Sequence, residues 1–128
     1  MNEFVYPEIK CGLYLVSLPV GCLSDISFRA LHMLSNSDYV AGEDTRNVRS
    51  LFKLLKISKS IKSIISYHDH SSAHTRGKII ELIKQGKSVA LVSDAGTPLI
   101  SDPGYKLVKT AIEEGFEVFS VPGPSSVI

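Results

Sequence analysis

The sequence has few cysteines, almost no net charge and no long apolar run. Its two cysteines, Cys11 and Cys22, flank a short apolar stretch. No Cys/His cluster has zinc spacing, so the pair reads as reduced thiols in a cytosolic protein. The net charge of +1 does not announce a nucleic-acid binder, although charge can still be concentrated on one face. No stretch is long enough to span a membrane. Leu13-Tyr14-Leu15-Val16 is too short for a signal-peptide core, and Glu3 and Glu8 precede it where such a signal needs positive charge. A cytoplasmic location is expected. Repeats, low-complexity tracts and long linkers are also missing. Neither GxGxxG nor GxxxxGK[ST] occurs, which argues against NAD and ATP in their commonest folds.

The 128 residues, 44% of them apolar and 21% charged, suffice for one domain with a real core, so disorder is not expected. Apolar runs of strand length alternate with amphipathic segments of helix length. The expected strands are Leu13 to Ser17, Tyr39 to Ala41, Ile64 to Ser66, Val89 to Val92 and Val118 to Val121. The fourth reads as the most buried. Between them, Ser24 or Asp25 can cap a helix carrying Ile26, Ala30, Leu31 and Leu34 inward. Asp44 or Thr45 starts a second helix, whose Val48, Leu51, Phe52 and Leu55 form one stripe. A third runs through Ile79, Leu82 and Ile83 and stops at Gly86. Asp102 as cap and Pro103 at the first helical position open a fourth, with Val108, Ala111 and Ile112 inward and Gly115 at its end. This alternation predicts an α/β fold: a five-stranded, mainly parallel sheet with right-handed crossovers and helices on both faces. The chain stops as a further βα unit begins, which reads as a fragment of something longer.

In such a sheet, ligands bind at the carboxyl ends of the strands. The unusual loops fall there: Ser17-Leu18-Pro19-Val20-Gly21, Gly42-Glu43-Asp44-Thr45-Arg46, Ser93-Asp94-Ala95-Gly96-Thr97-Pro98 and Pro122-Gly123-Pro124-Ser125-Ser126. Glycine admits close backbone approach and proline stiffens the loop, so this rim suits a polar metabolite held largely by main-chain groups.

These motifs also carry a family resemblance. The run from Ser93 to Gly104 (SDAGTPLISDPG) is similar to the signature of the ribosomal RNA branch of the tetrapyrrole methylases. Gly42-Glu43-Asp44-Thr45-Arg46, Tyr67-His68-Asp69-His70 and Pro122-Gly123-Pro124-Ser125 resemble further segments of that branch. The resemblance spans nearly the whole chain. It implies an S-adenosylmethionine-dependent methyltransferase acting on a cytidine 2′-hydroxyl in small-subunit ribosomal RNA. It further implies two domains, of which this chain is the N-terminal one, and a homodimer. Carried over, Leu18, Pro19, Asp94, Gly96, Thr97, Ser125 and Ser126 would lie against the cofactor. One departure stands in the first loop. The family usually reads Thr-Pro-Ile-Gly-Asn-Leu there; Leu18 and Cys22 replace two hydrogen-bonding residues. A tetrapyrrole or other small-molecule methylase, or a catalytically incomplete binding or dimerisation module, remain the alternatives.

Methyl transfer from a sulfonium is an in-line displacement that depends on positioning. A ribose hydroxyl is a weak nucleophile and gains from a general base. Glu43 and His68 are the candidates; Asp44 reads better as a helix cap. His68, Asp69 and His70 make too sparse a set to predict a metal. Arg46, Arg49, Lys53 and Lys56 recur at helical spacing opposite the apolar stripe, Lys59 and Lys62 continue the run, and no acid interrupts it. Such a stripe is either a solvated helix face or a surface for RNA phosphates.

Overall fold

The computed structural model describes residues 8–18, 26–68, 72–93 and 102–121. The elements, in order, are β1 (Gly12–Ser17), α1 (Phe28–Asn36), β2 (Tyr39–Gly42), α2 (Thr45–Leu54), a 3-10 turn (Ile61–Ser63), β3 (Ile64–Ser66), α3 (Ser72–Lys84), β4 (Ser88–Ser93), α4 (Asp102–Glu113) and β5 (Val118–Val121). The five strands form one parallel sheet in the order β3-β2-β4-β1-β5.

That order determines the layers. The chain moves toward the β3 edge through α1 and α2, then turns back through α3 and α4. Crossovers of one hand place their helices on opposite faces when the direction of travel reverses. Side chains alternate accordingly. Tyr14, Val16, Val40 and Ala90 pack with Ala30, Met33 and Leu34 of α1 and Val48, Leu51 and Phe52 of α2. Leu13, Ala41, Ile65 and Val89 pack with Ile79, Ile80 and Ile83 of α3 and Leu107 and Ala111 of α4. Tyr14 stacks on Phe119 with ring centroids 4.6 Å apart.

Several expectations shift. The cap of α1 is Ser27, whose hydroxyl accepts from the Ala30 amide at 3.1 Å; Ser24 and Asp25 lie outside the described residues. Ile26 therefore precedes the helix. In α4, Leu107 and Ala111 are fully buried and Val108 only partly, while Ile112 is 60% exposed. The buried Pro103 and Gly104 show that the helix rests on the sheet through the 103–107–111 side of its surface. Asp102 is itself the first helical residue, one position from the expected cap. In β4 only Ser88–Ala90 are buried; the carboxyl half is half-buried, because it opens onto the rim described below.

Three helices end in the same way. Past α3, Lys87 N–H donates to Leu82 O and Gly86 N–H to Ile83 O; past α4, Phe116 N–H donates to Ala111 O and Gly115 N–H to Ile112 O. Past α2, Ile57 N–H donates to Phe52 O and Lys56 N–H to Lys53 O. Each is a Schellman cap, which demands a left-handed residue. Glycine fills that position twice, and Lys56 fills it after α2 with φ of 58°.

Candidate functional site

β1, β2 and β4 deliver their carboxyl ends side by side. Leu18, Gly42, Glu43, Asp44, Asn47, Val48, Leu51 and Val92 enclose a cavity of about 50 Å³ there. Its shape follows from Gly42. A Cβ on Gly42 would lie 2.8 Å from Val48 Cγ2, so only glycine lets the first turn of α2 close this tightly over the strand end. Asp44 then caps α2. Its carboxylate accepts from the Arg46 amide at 2.9 Å and pairs with the Arg46 guanidinium at 3.2 Å. The Arg46 hydrogen bonds hold the Asp44 carboxyl below the usual aspartate range, and in turn the Arg46 pKa is raised. Asp44 is thus committed to structure. Glu43, the exposed residue before the cap, is the carboxylate left to face the cavity. Val48, Leu51, Leu18 and Val92 form its apolar side.

β3 adds the neighbouring rim segment. Ser66 pairs with Gly42, and Tyr67 N–H donates to Gly42 O at 2.8 Å. His68, which is half-buried, follows two residues past this pairing and lies outside the cavity lining. Tyr67 is 2% exposed, and its hydroxyl donates to the carbonyl of Pro103. One side chain therefore ties the end of β3 to the first turn of α4.

Of the expected cofactor residues, Leu18 lines the cavity. Pro19, Asp94, Gly96, Thr97, Ser125 and Ser126 lie outside the described residues, as do Asp69 and His70. The described part has about 50 Å³, well below the roughly 300–1,000 Å³ of small-molecule sites. Its lining sets apolar side chains beside a carboxylate, a combination compatible with a methyl group and a positive charge. Asn47 and Val92 also belong to it. The sequence carries a signal for Asn47 alone, since it sits three residues past the cap, on the exposed first turn of α2.

The basic stripe is shorter than its spacing predicts. Arg49 and Lys53 project from α2 into solvent and Arg46 is engaged by Asp44. Lys56 has left the helix for the left-handed cap. Lys59 turns inward, and its ammonium donates to Ser37 O at 2.6 Å. Burial pushes its pKa down, opposed by the nearby Asp38 carboxylate. Asp38 in turn accepts from the Ser88 amide at 2.9 Å and takes part in a reciprocal clasp between β2 and β4.

Residues 12–128 match the family profile of the Tetrapyrrole (Corrin/Porphyrin) Methylases. The chain is 48% identical over 125 residues to the ribosomal RNA small subunit methyltransferase I of Mesorhizobium japonicum, covering 98% of this chain and 42% of that protein. It is 48% identical over 120 residues to the protein of the same name from Rickettsia prowazekii, covering 94% and 42%. The chain thus spans about two fifths of the length of these relatives. Among solved structures, a uroporphyrin-III-C-methyltransferase from Thermus thermophilus superposes with a TM-score of 0.62 at 21% identity, covering 90% of this chain and 49% of that one. A diphthine synthase superposes with a TM-score of 0.64 at 18% identity, covering 89% and 45%. Fold, rim and sequence agree: the chain belongs to the tetrapyrrole methylase family.

Proposed function

We propose that this chain is the cofactor-binding N-terminal domain of an S-adenosylmethionine-dependent methyltransferase that methylates a cytidine 2′-hydroxyl in small-subunit ribosomal RNA. The observation that carries the reading is the rim cavity. It combines an uncommitted carboxylate, Glu43, with an apolar wall at the carboxyl ends of β1, β2 and β4, where a parallel α/β sheet binds its ligand. The names of the relatives support the choice of RNA over a tetrapyrrole. Homodimerisation and a cytoplasmic setting belong to the same proposal; among the described residues no helix is long and apolar enough to cross a membrane.

S-adenosylmethionine, when bound, supplies the methyl group. The chain's own residues do the rest. Leu18, Val48, Leu51 and Val92 keep water from the transfer site. Glu43 accepts the proton of the ribose hydroxyl on a carboxylate oxygen, a task Asp44 cannot share while it holds Arg46. Arg49 and Lys53 contact RNA phosphates.

The test uses small ribosomal subunits lacking the modification, methyl-labelled S-adenosylmethionine, and both this chain and a form carrying the relatives' second half. A 2′-O-methyl group blocks alkaline cleavage at its own phosphodiester, so label is expected in an alkali-resistant dinucleotide. Glu43→Gln should lower transfer by about 10²–10⁴-fold. Absence of labelled dinucleotide with either form would refute the reading.

A further inference from the structure

The chain is nearly neutral as a whole, but its charge is segregated. Residues 45–80 contain eight lysines and arginines and a single acid, whereas the remainder has six against twelve. That segment builds α2, β3 and the first nine residues of α3, which flank the β3 edge of the sheet. Arg46 is paired with Asp44 and Lys59 turns inward near Asp38, while Arg49, Lys53, Lys62 and Lys78 stay exposed and give this edge a positive field.

On the α3 side of this edge lies an open cleft of about 380 Å³, separate from the rim cavity. It is lined by Tyr39, Lys62, Ser66, His74, Lys78 and Leu82, together with the edge strand itself. Lys62, His74 and Lys78 are exposed, and Tyr39 is half-buried. Among the described residues no acid lines it; Glu81, one turn beyond Lys78, is not part of its wall. Cations beside an aromatic ring are the components by which proteins hold unpaired nucleotides: phosphate on the cations, base against the ring. The volume falls within the nucleotide-scale range of about 300–1,000 Å³. The cleft also leads to the chemistry. Ser66, at its carboxyl end, pairs with Gly42, the neighbour of Glu43.

We infer that this cleft holds a single-stranded nucleotide of the RNA substrate, with its phosphate on Lys62 and Lys78 and its base against Tyr39. The inference rests on the RNA reading above. It assigns the β3 edge a part that is separate from the Arg49 and Lys53 face of α2. Strand and cleft then guide an unpaired RNA segment toward the rim, where the acceptor hydroxyl must lie.

Fluorescence anisotropy with a labelled single-stranded oligonucleotide of small-subunit ribosomal RNA, and with the same sequence in a duplex, tests it across a salt series. Each phosphate contact to a single strand contributes about 0.7 to the slope of log affinity against log salt, so Lys62→Gln with Lys78→Gln should reduce that slope by about 1.4. Tyr39→Leu, which keeps the apolar packing, should weaken single-strand binding by about fivefold or more and leave duplex binding unchanged. Circular dichroism confirms that each variant is folded; the lysine pair is exposed and outside the core. A wild-type protein that binds neither RNA would overturn the substrate reading and this inference together. If wild type binds and the Arg49→Glu/Lys53→Glu variant weakens it while the lysine pair changes nothing, the substrate reading stands and the cleft is refuted. Equal losses on single strand and duplex would also refute it.

Discussion

Replacing Lys56 by glycine should stabilise the protein, although the change removes a charge and every side-chain contact at that position. Lys56 occupies the left-handed residue of the cap after α2 with φ of 58°. Gly86 and Gly115 hold the equivalent place after α3 and α4, at 88° and 85°. A Cβ-bearing residue there suffers about 1–2 kcal/mol of backbone strain. Glycine removes that strain but adds freedom to the unfolded chain, which offsets about 0.4–1 kcal/mol. The net gain is about 0.5–1 kcal/mol, or a rise in melting temperature of about 2–5 °C for a domain of this size. Lysine near a helix carboxyl terminus also interacts favourably with the macrodipole, so the proper comparison is Lys56→Gly against Lys56→Ala. Both lose the charge, and only alanine keeps the Cβ. Differential scanning calorimetry should place the glycine variant above the alanine variant. The reverse substitutions, Gly86→Ala and Gly115→Ala, should lower stability by a similar amount, because a Cβ at either site meets no atom within 4 Å and the penalty is backbone strain alone. A glycine variant no more stable than the alanine one would refute the assignment of strain to this cap.

Three further outcomes follow from the rim. Gly42→Ala drives a methyl group to 2.8 Å from Val48 Cγ2; it should destabilise by about 1–3 kcal/mol in urea unfolding, and a second change, Val48→Ala, should recover part of the loss. Tyr67→Phe leaves the buried Pro103 carbonyl without its phenolic donor and should cost about 1–3 kcal/mol by the same assay. Asp44 has a lowered pKa in the folded state, caused chiefly by Arg46. Its contribution is complete above the ordinary aspartate value of about pH 4 and is lost as pH falls through the lower folded value. Asp44→Asn keeps a capping oxygen but should abolish this segment of the acid-unfolding curve.

Most of the frame was legible because parallel strands buried on both faces are short apolar runs with glycine or polar boundaries. β3 and β5 run as read, β1 and β2 are longer by one residue at one end, and β4 by one at each end. What escaped was the choice among equivalent patterns. Leu107, Val108, Ala111 and Ile112 are all apolar, so periodicity alone admits two adjacent stripes. The seating of Pro103 and Gly104 selects the one through Leu107. Ser24, Asp25 and Ser27 are all competent caps in sequence, and it is the Ser27 hydroxyl that accepts from the Ala30 amide. Lys56 and Lys59 fit a helical stripe in sequence, but the helix ends before the first, and the second is drawn to the Ser37 carbonyl. In the site, Glu43 and Leu18 were legible from loop position. The part of Tyr67 was not, because its partner at Pro103 lies 36 residues away.

The position of β4 has a consequence for how the chain can fold. β1 and β2 are not paired with each other; β4 lies between them and hydrogen-bonds to both. Until Ser88–Ser93 is available, β1 has no central neighbour and β2 has only β3. The first ninety or so residues can therefore form α1 and α2 but not a continuous sheet to support them. Closure requires one late strand to satisfy two open edges at once. Such long-range pairing is intrinsically slow and leaves strand edges exposed in the meantime. The rate of assembly should accordingly be governed by β4, the strand whose arrival also completes the rim.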